Sequence, residues 1–325
     1  MLKIGIIDSL RHSYVAQPDI EQAVFAGAGT IELFQVATAA DLPPPAAACD
    51  GIISWHLVPL DAAAIDQLTA CRGIVRAAVG YDNIDLVAAA AKGIQVANVP
   101  DYGTEEVADH TLALALAMLR RLPRGDRLVR GGSWDWREVG PMPRLRGLRV
   151  GILGLGRIGT AVARRFQAFG CEVAFYDPER PSGWDKAVGI DRCETLDELL
   201  DRCQLLTIHA PLNAVTRHLI DARALGKLQD KYLVNTARGP IIEPQALAAA
   251  VAAGNLAGVA LDVFSDETRA PLAPLADSEA TLWSPHVAFY SDRALPELRA
   301  KAAQCLRGIL ETGDHRNVLA ETRRG

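Results

Sequence analysis

The chain has 325 residues and a net charge of −5; half of its residues are hydrophobic and only 6% are aromatic. That length accommodates two domains with aliphatic cores, and the acidic balance excludes any general attraction to nucleic acid or anionic membranes. Six cysteines, at 49, 71, 171, 193, 203 and 305, are scattered with no CxxC pair, which fits reduced thiols in a cytoplasmic protein rather than a disulfide framework or a metal site.

The N-terminus, MLKIGIID, starts at once as a strand and does not read as a signal peptide. The longest apolar stretch, Thr111–Leu119, is too short to span a bilayer, so a soluble cytoplasmic protein is expected. Strand patterns at Lys3–Ile7, Ile31–Val36, Gly51–Ser54, Ile74–Ala77 and Ile94–Ala97 alternate with helical patterns at Ile20–Ala26, Asp61–Thr69 and Ile84–Ala91. The alternation predicts a small parallel α/β sheet. Leu42–Ala48 (LPPPAAA) reads as a rigid connector, and Asn98-Val99-Pro100 breaks the pattern as a hinge.

A helix is predicted over Thr104–Arg121, apolar over so much of its surface that it needs more than one packing partner. Pro123–Gly147 is polar, basic and rich in Gly, Pro and Trp, and reads either as an arm at a subunit interface or as a long surface loop. Next comes a buried strand, Leu148–Leu153. It leads into Gly154-Leu155-Gly156-Arg157-Ile158-Gly159 and a helix with Ile158, Val162, Phe166 and Phe169 on one face. Gly170 closes that helix, and the strand Glu172–Tyr176 ends on Asp177.

In order, the glycines of this run permit a tight turn, close approach of backbone to a pyrophosphate, and close helix–strand packing. The helix N-terminus, with Arg157 and Ile158, offers N–H groups to phosphates. Asp177 stands where a carboxylate accepts hydrogen bonds from the adenosine ribose. It would repel a 2′-phosphate, so the expected cofactor is NAD; Arg180, three positions on, is what keeps NADP in view.

Further strands at Leu205–His209, Tyr232–Thr236, Ala257–Val263 and Thr281–Ser284, with helices at Thr195–Cys203 and Pro244–Ala253, complete a second, larger doubly wound sheet. Pro285 breaks it, and a last helix, Leu295–Glu311, follows. The expected architecture is α/β with two doubly wound Rossmann-like domains. An NAD-binding domain at 100–285 is inserted into a flavodoxin-like substrate domain made of 1–99 and 286–325.

Ligands of such sheets lie beyond the carboxyl ends of the strands. Those ends carry His209-Ala210-Pro211, Asn235-Thr236-Ala237-Arg238-Gly239, Asp262 through Glu267, and Ser284-Pro285-His286. Cofactor contacts are expected at His209, Ala210, Pro211, Thr216, Thr236, Ala237, Arg238, Asp262 and His286. A guanidinium, a carboxylate and an imidazole at neighbouring strand ends suit hydride chemistry on a 2-oxo or 2-hydroxy acid. Arg238 would grip the carboxylate and polarise the carbonyl, His286 would exchange the proton, and Glu267 would orient the imidazole. His56 reads as a substrate-pocket residue or simply as surface, and His110 as structural.

GLGRIG with Asp177, NTARG, ALDVFSDE and SPH, in this order, resemble the D-isomer-specific 2-hydroxyacid dehydrogenases over nearly the whole chain. Within the family, IVRAAVGYDNID, NVPDYGTEEVADHTLAL, LVNTARG and His286 through Ser291 are most similar to the C-terminal binding proteins, NAD-binding corepressors. The resemblance implies a catalytic set of Arg238, Glu267 and His286. It also implies substrate carboxylate binding around Val79 and Gly80 with Arg76, Asp262 facing the nicotinamide carboxamide, and a homodimer formed through the cofactor domain. Two positions depart from the pattern: Thr268 replaces the usual proline after the catalytic acid, and Phe289 stands where the corepressors carry a tryptophan beside the substrate. The expected activity is interconversion of a 2-oxo acid and a D-2-hydroxy acid; the alternative is an NAD(H)-sensing corepressor dimer with little turnover.

Overall fold

In the computed structural model, which describes residues 1–267, 273–276 and 278–323, the chain divides into two compact units. One comprises Met1–Gly103 with Ser291–Gly325, the other Thr104–Tyr290. The crossings fall later than the expected 99/100 and 285/286, for local reasons. Val99 is still bonded to the first unit through Ala78 O (2.9 Å). Past Pro285, the N–H groups of Val287 and Ala288 donate to the Asp262 carboxylate of the second unit.

The first unit has five parallel strands, β1 (Leu2–Ser9), β2 (Gly29–Val36), β3 (Gly51–Ser54), β4 (Gly73–Arg76) and β5 (Gln95–Asn98). Their order is β2-β1-β3-β4-β5, the flavodoxin-like arrangement with its switch point between β1 and β3. β3 to β5 are buried at every residue, as a strand covered on both faces must be. The helices Ala62–Gln67 and Leu86–Ala91 begin on Asp61 and Asp85, whose carboxylates each accept an N–H three residues on at 2.9 Å.

The C-terminal helix Ala294–Thr312 returns to this unit. A side chain at Gly51 or Gly73 would collide with Leu306, Leu310 or Ile309 at 2.8–2.9 Å, so these glycines let the helix lie on the sheet. Arg299 of that helix pairs with the fully buried Glu21 (2.7 Å). The tail then covers the edge of β5, with Leu319 N–H on Val96 O and Val96 N–H on Thr322 Oγ1, closing an edge open to unwanted pairing.

Among the described residues the second unit has seven parallel strands: β6 (Arg149–Leu153), β7 (Glu172–Tyr176), β8 (Asp191–Arg192), β9 (Leu205–Ile208), β10 (Tyr232–Asn235), β11 (Gly258–Leu261) and β12 (Thr281–Trp283). The order β12-β11-β10-β9-β6-β7-β8 reverses direction at β6/β9. One face is covered by the helices Thr104–Leu119 and Arg157–Ala168 through Leu112, Ala115, Val162 and Phe166. The other is covered by Leu196–Arg202, Ala222–Lys227 and Pro244–Ala252 through Leu199, Leu225 and Leu247.

Several segments differ from the sequence reading. Pro123–Gly147 contains the helix Leu122–Arg130 and a 3-10 turn at Trp136–Val139. The proline sits in the first turn, where its missing N–H costs nothing, but Gly125 and the many charged residues, with no side chain buried, hide the helix. Pro44–Ala47 is a single helical turn rather than a plain connector. The stretch between β7 and β9 holds a helix, Trp184–Val188, and the edge strand β8, both too short to show a period. All six cysteines are free and buried, and burial pushes the thiols of Cys71 and Cys305 up to about 12. No helix is long and apolar enough to cross a membrane among the described residues.

Candidate active site

The three glycines after β6 occupy three different environments. Gly154 has φ +89°, and a Cβ there would lie 2.8 Å from Ala210 N, at the carboxyl end of the neighbouring strand β9. Only glycine combines that conformation with that approach. Gly159 is tighter still, since its Cβ would lie 2.1 Å from Gly154 O. Gly156 is the reverse, because a Cβ would meet nothing within 4 Å. It is the N-cap of the helix Arg157–Ala168, and no side chain caps that end. The N–H groups of the first turn, with Arg157 exposed and Ile158 half-buried beside them, therefore face an opening with no protein acceptor. This arrangement accepts an anion.

Asp177 is nearly buried at the end of β7. Its Oδ2 accepts Leu155 N–H (2.8 Å) and its Oδ1 accepts Glu179 N–H (2.9 Å), so the carboxylate braces the glycine turn. Arg180 pairs with Oδ2 at 3.2 Å, and its guanidinium lies 5.7 Å from the centre of the Trp184 ring. The carboxylate thus already holds the cation that a 2′-phosphate would need.

His209 ends β9 beside Gly154, its N–H bonded to Leu153 O and its Nε2 2.9 Å from Thr207 Oγ1. Burial lowers its pKa to about 3, so the ring is neutral, as suits a floor and not a proton carrier. Ala210 is buried and Pro211 exposed. Thr216 gives its hydroxyl proton to Pro211 O (2.6 Å), closing that loop. Thr236 is buried against Thr111 at 2.8 Å; Thr111 donates to Val107 O, so Thr236 is the donor of the pair.

Ala237 N–H donates to Asn235 Oδ1, and Asn235 Nδ2 donates to Arg238 O, fixing the turn that carries Arg238. A Cβ on the next residue, Gly239, would lie 2.0 Å from Phe264 C. The Arg238 turn is therefore pressed against the segment leading to Glu267.

His286 Nδ1 lies 2.8 Å from Glu267 Oε2, and Glu267 Oε1 accepts Phe264 N–H at 3.4 Å. With Nδ1–H given to the carboxylate, Nε2 is the ring atom through which a proton would be exchanged. His286 has φ +50°, a left-handed conformation that costs a residue other than glycine energy and marks functional turns. Phe289 meets the imidazole edge to face at 6.1 Å. Thr268, the departure from the family pattern after Glu267, lies outside the described residues.

Within the first unit, Arg76 is buried at the end of β4, donating to Asn83 Oδ1 and Ala77 O at 2.8 Å each. Asn83 in turn donates to the carbonyls of Trp55 and His56 (3.3 Å). Val79 O accepts from Asn98 Nδ2 at 2.6 Å, which holds the half-buried Val79–Gly80 turn at the end of β4. The sequence reading missed Tyr14, stacked on Trp55 (4.8 Å, 9°) and tilted on His56 (5.4 Å). It also passed over Ser284, which joins His110 to Asp262.

A glycine turn over a helix end without a side-chain cap, a buried carboxylate bracing that turn and a histidine–carboxylate pair at neighbouring strand ends are features of a dinucleotide-dependent oxidoreductase of doubly wound fold. Residues 112–288 match the model of the NAD-binding domain of D-isomer-specific 2-hydroxyacid dehydrogenases. The chain is 37% identical over 268 residues to a glyoxylate reductase of Thermofilum pendens, covering 81% of this chain and 78% of that one. Its fold matches an NADPH-dependent glyoxylate/hydroxypyruvate reductase of Sinorhizobium meliloti, solved with NADP and malonate, at TM-score 0.87 and 30% identity over 100% and 99% of the two chains. It also matches a D-lactate dehydrogenase of Aquifex aeolicus with NAD and lactic acid at TM-score 0.85 and 26% identity over 98% and 100%. The chain belongs to the D-isomer-specific 2-hydroxyacid dehydrogenase family. It is an enzyme, and its cofactor is NAD.

Proposed function

We propose that this enzyme interconverts a short 2-oxo acid and its D-2-hydroxy acid, with His286 as the acid/base. The observation that carries the reading is the 2.8 Å contact between His286 Nδ1 and Glu267 Oε2 in the unit that also carries the glycine cradle. Bound at Gly154–Gly159 and Asp177, NADH supplies the hydride. In reduction His286 gives the Nε2 proton to the carbonyl oxygen; in oxidation it takes it back. Glu267 holds the ring by the opposite nitrogen, and Arg238 grips the carboxylate and polarises the carbonyl. The remaining cofactor contacts are assigned to Arg157, Ile158, His209–Pro211, Thr216, Thr236, Ala237, Arg238, Asp262 and His286. Arg76 and the backbone of Val79 and Gly80 bind the substrate carboxylate, and His56 and Phe289 border its side chain.

The relatives named as glyoxylate reductases make glyoxylate the first acid to assay, and their names favour an enzyme over an NAD(H)-sensing corepressor. The same reading includes a homodimer through the cofactor unit, supported by Trp134 and Trp136, which are 88% and 81% exposed. A cytoplasmic location is supported by the six free thiols.

The test is NADH oxidation followed with a panel of 2-oxo acids, in the parent and in His286→Ala. Turnover of at least one acid, reduced roughly 100-fold or more in the variant, is expected. No turnover with any acid, or a variant as active as the parent, would overturn the proposal.

A further inference from the structure

The loops that follow β1 and β3 meet at the switch point of the first sheet, where ligands of doubly wound units lie. A negative charge already stands there. The Asp8 carboxylate accepts Ser13 Oγ–H, Tyr14 N–H and Val15 N–H at 2.7–2.9 Å, and a second carboxylate beside it would be repelled. An acid substrate therefore turns its other end, the side chain, toward this crevice.

What meets that end is aromatic. Tyr14 lies flat on Trp55, with ring centres 4.8 Å apart and planes 9° from parallel, and the tilted ring of His56 stands 5.4 Å from it. Trp55 is 2% exposed, whereas Tyr14 and His56 are half-buried. Of the stacked pair, Tyr14 is thus the ring that presents surface. It covers the broad face of Trp55 on which a flat apolar group would otherwise stack.

Both rings are carried on loops whose backbone is tied down. Tyr14 sits among the donors that Asp8 gathers, and Trp55 N–H is bonded to Ile7 O at 3.0 Å. The carbonyls of Trp55 and His56 both accept Asn83 Nδ2 at 3.3 Å, and Asn83 is in turn oriented by Arg76 Nε at 2.8 Å. A ring held this way does not yield cheaply to a bulky neighbour.

We propose that Tyr14 limits the size of the side chain the enzyme accepts on its 2-oxo acid: its ring occupies the face of Trp55 where a larger, flat side chain would lie. The inference rests on the reaction assigned above and on His56 bordering the substrate side chain. One methylene in an apolar pocket changes discrimination by about 10- to 200-fold. A ring that fills such a pocket is therefore enough to exclude an aryl side chain while admitting glyoxylate, which carries only hydrogen.

The experiment compares the full-length parent with Tyr14→Ala, Tyr14→Leu, Tyr14→Phe and His286→Ala, each checked for folding by thermal melting. The quantity read is kcat/KM for phenylpyruvate relative to glyoxylate, with NADH saturating. Tyr14→Ala is expected to raise this ratio by about tenfold or more. Tyr14→Phe keeps the ring and stays within about threefold of the parent ratio. If Tyr14→Ala fails to fold, Tyr14→Leu carries the test, with an expected rise of about threefold or more.

An unchanged ratio in a folded Tyr14→Ala or Tyr14→Leu protein, with His286→Ala inactive, overturns the size-limiting role alone. A lowered ratio does so as well, because Tyr14 would then be a surface that binds the larger side chain. A parent that turns over neither acid, or a His286→Ala variant as active as the parent, defeats the assigned reaction and takes this inference with it.

Discussion

β1 and β6 hold the same place in their two sheets. Each is the first strand of its unit, and each lies at the point where strand order reverses. Beyond β6 the chain makes a glycine turn whose uncapped helix end faces open space. Beyond β1 that position is occupied by the protein's own anion. Asp8 is fully buried, and its carboxylate accepts Ser9 N–H, Ser13 Oγ–H, Tyr14 N–H and Val15 N–H at 2.7–2.9 Å. The helix that follows, Asp19–Val24, is short and begins with Pro18 at its cap position. One fold position thus serves as an anion receptor in one unit and as a self-filled anion nest in the other. The difference lies in glycine against aspartate at the strand end, and not in topology.

This contrast can be broken from either side. Asp8→Ala strands several donors in the loop after β1 and is expected to cost roughly 3 kcal/mol of stability in urea unfolding, while the Kd for NADH of the folded protein stays within about twofold. An Asp8→Ala variant as stable as the parent would mean that the nest does not hold that loop.

On the receptor side, Asp177→Asn removes the charge facing a 2′-phosphate and releases Arg180. The NADH-over-NADPH ratio of kcat/KM is expected to fall by about 100-fold. An unchanged ratio would show that cofactor choice is made elsewhere.

The smallest effect in this series concerns His209, whose pKa is lowered from 6.5 to about 3 by burial. The unfolded chain takes up a proton at this residue below pH 6.5, whereas the folded protein does not until about pH 3. The stability this group contributes is therefore complete above pH 6.5 and declines through that window. Between pH 7 and 4.5 the parent should lose about 2 kcal/mol more than His209→Asn, measured by urea unfolding at the two pH values. Equal losses would place the imidazole in contact with water.

How much of this was legible in the sequence follows from what each residue needs. The strands are short buried runs, and Gly154 and Gly159 of the fingerprint are required by φ or by sterics, so composition and spacing revealed them. The proposed set Arg238, Glu267 and His286 was picked out because ligands of this fold lie beyond the strand ends, and the structure brings Glu267 and His286 into contact. What stayed hidden depends on distant contacts. Nothing in the local sequence around Asp262 tells that its carboxylate accepts hydrogen bonds from Ser284, Val287 and Ala288. The Tyr14–Trp55 stack joins loops after two different strands. The helix Ala222–Lys227 was missed although Asp221 caps it through Ala224 N–H (2.8 Å), because six residues are too few to show a period.

The most direct test of the receptor-and-nest contrast is Gly156→Ala. Its Cβ would meet nothing within 4 Å, and its backbone, at φ −77°, is one that alanine adopts freely, so the melting temperature should stay within about 2 °C of the parent. If the pyrophosphate lies against this residue, the added methyl group stands in its place, and the Kd for NADH should rise about tenfold. An unchanged Kd in a stably folded Gly156→Ala protein would contradict the account.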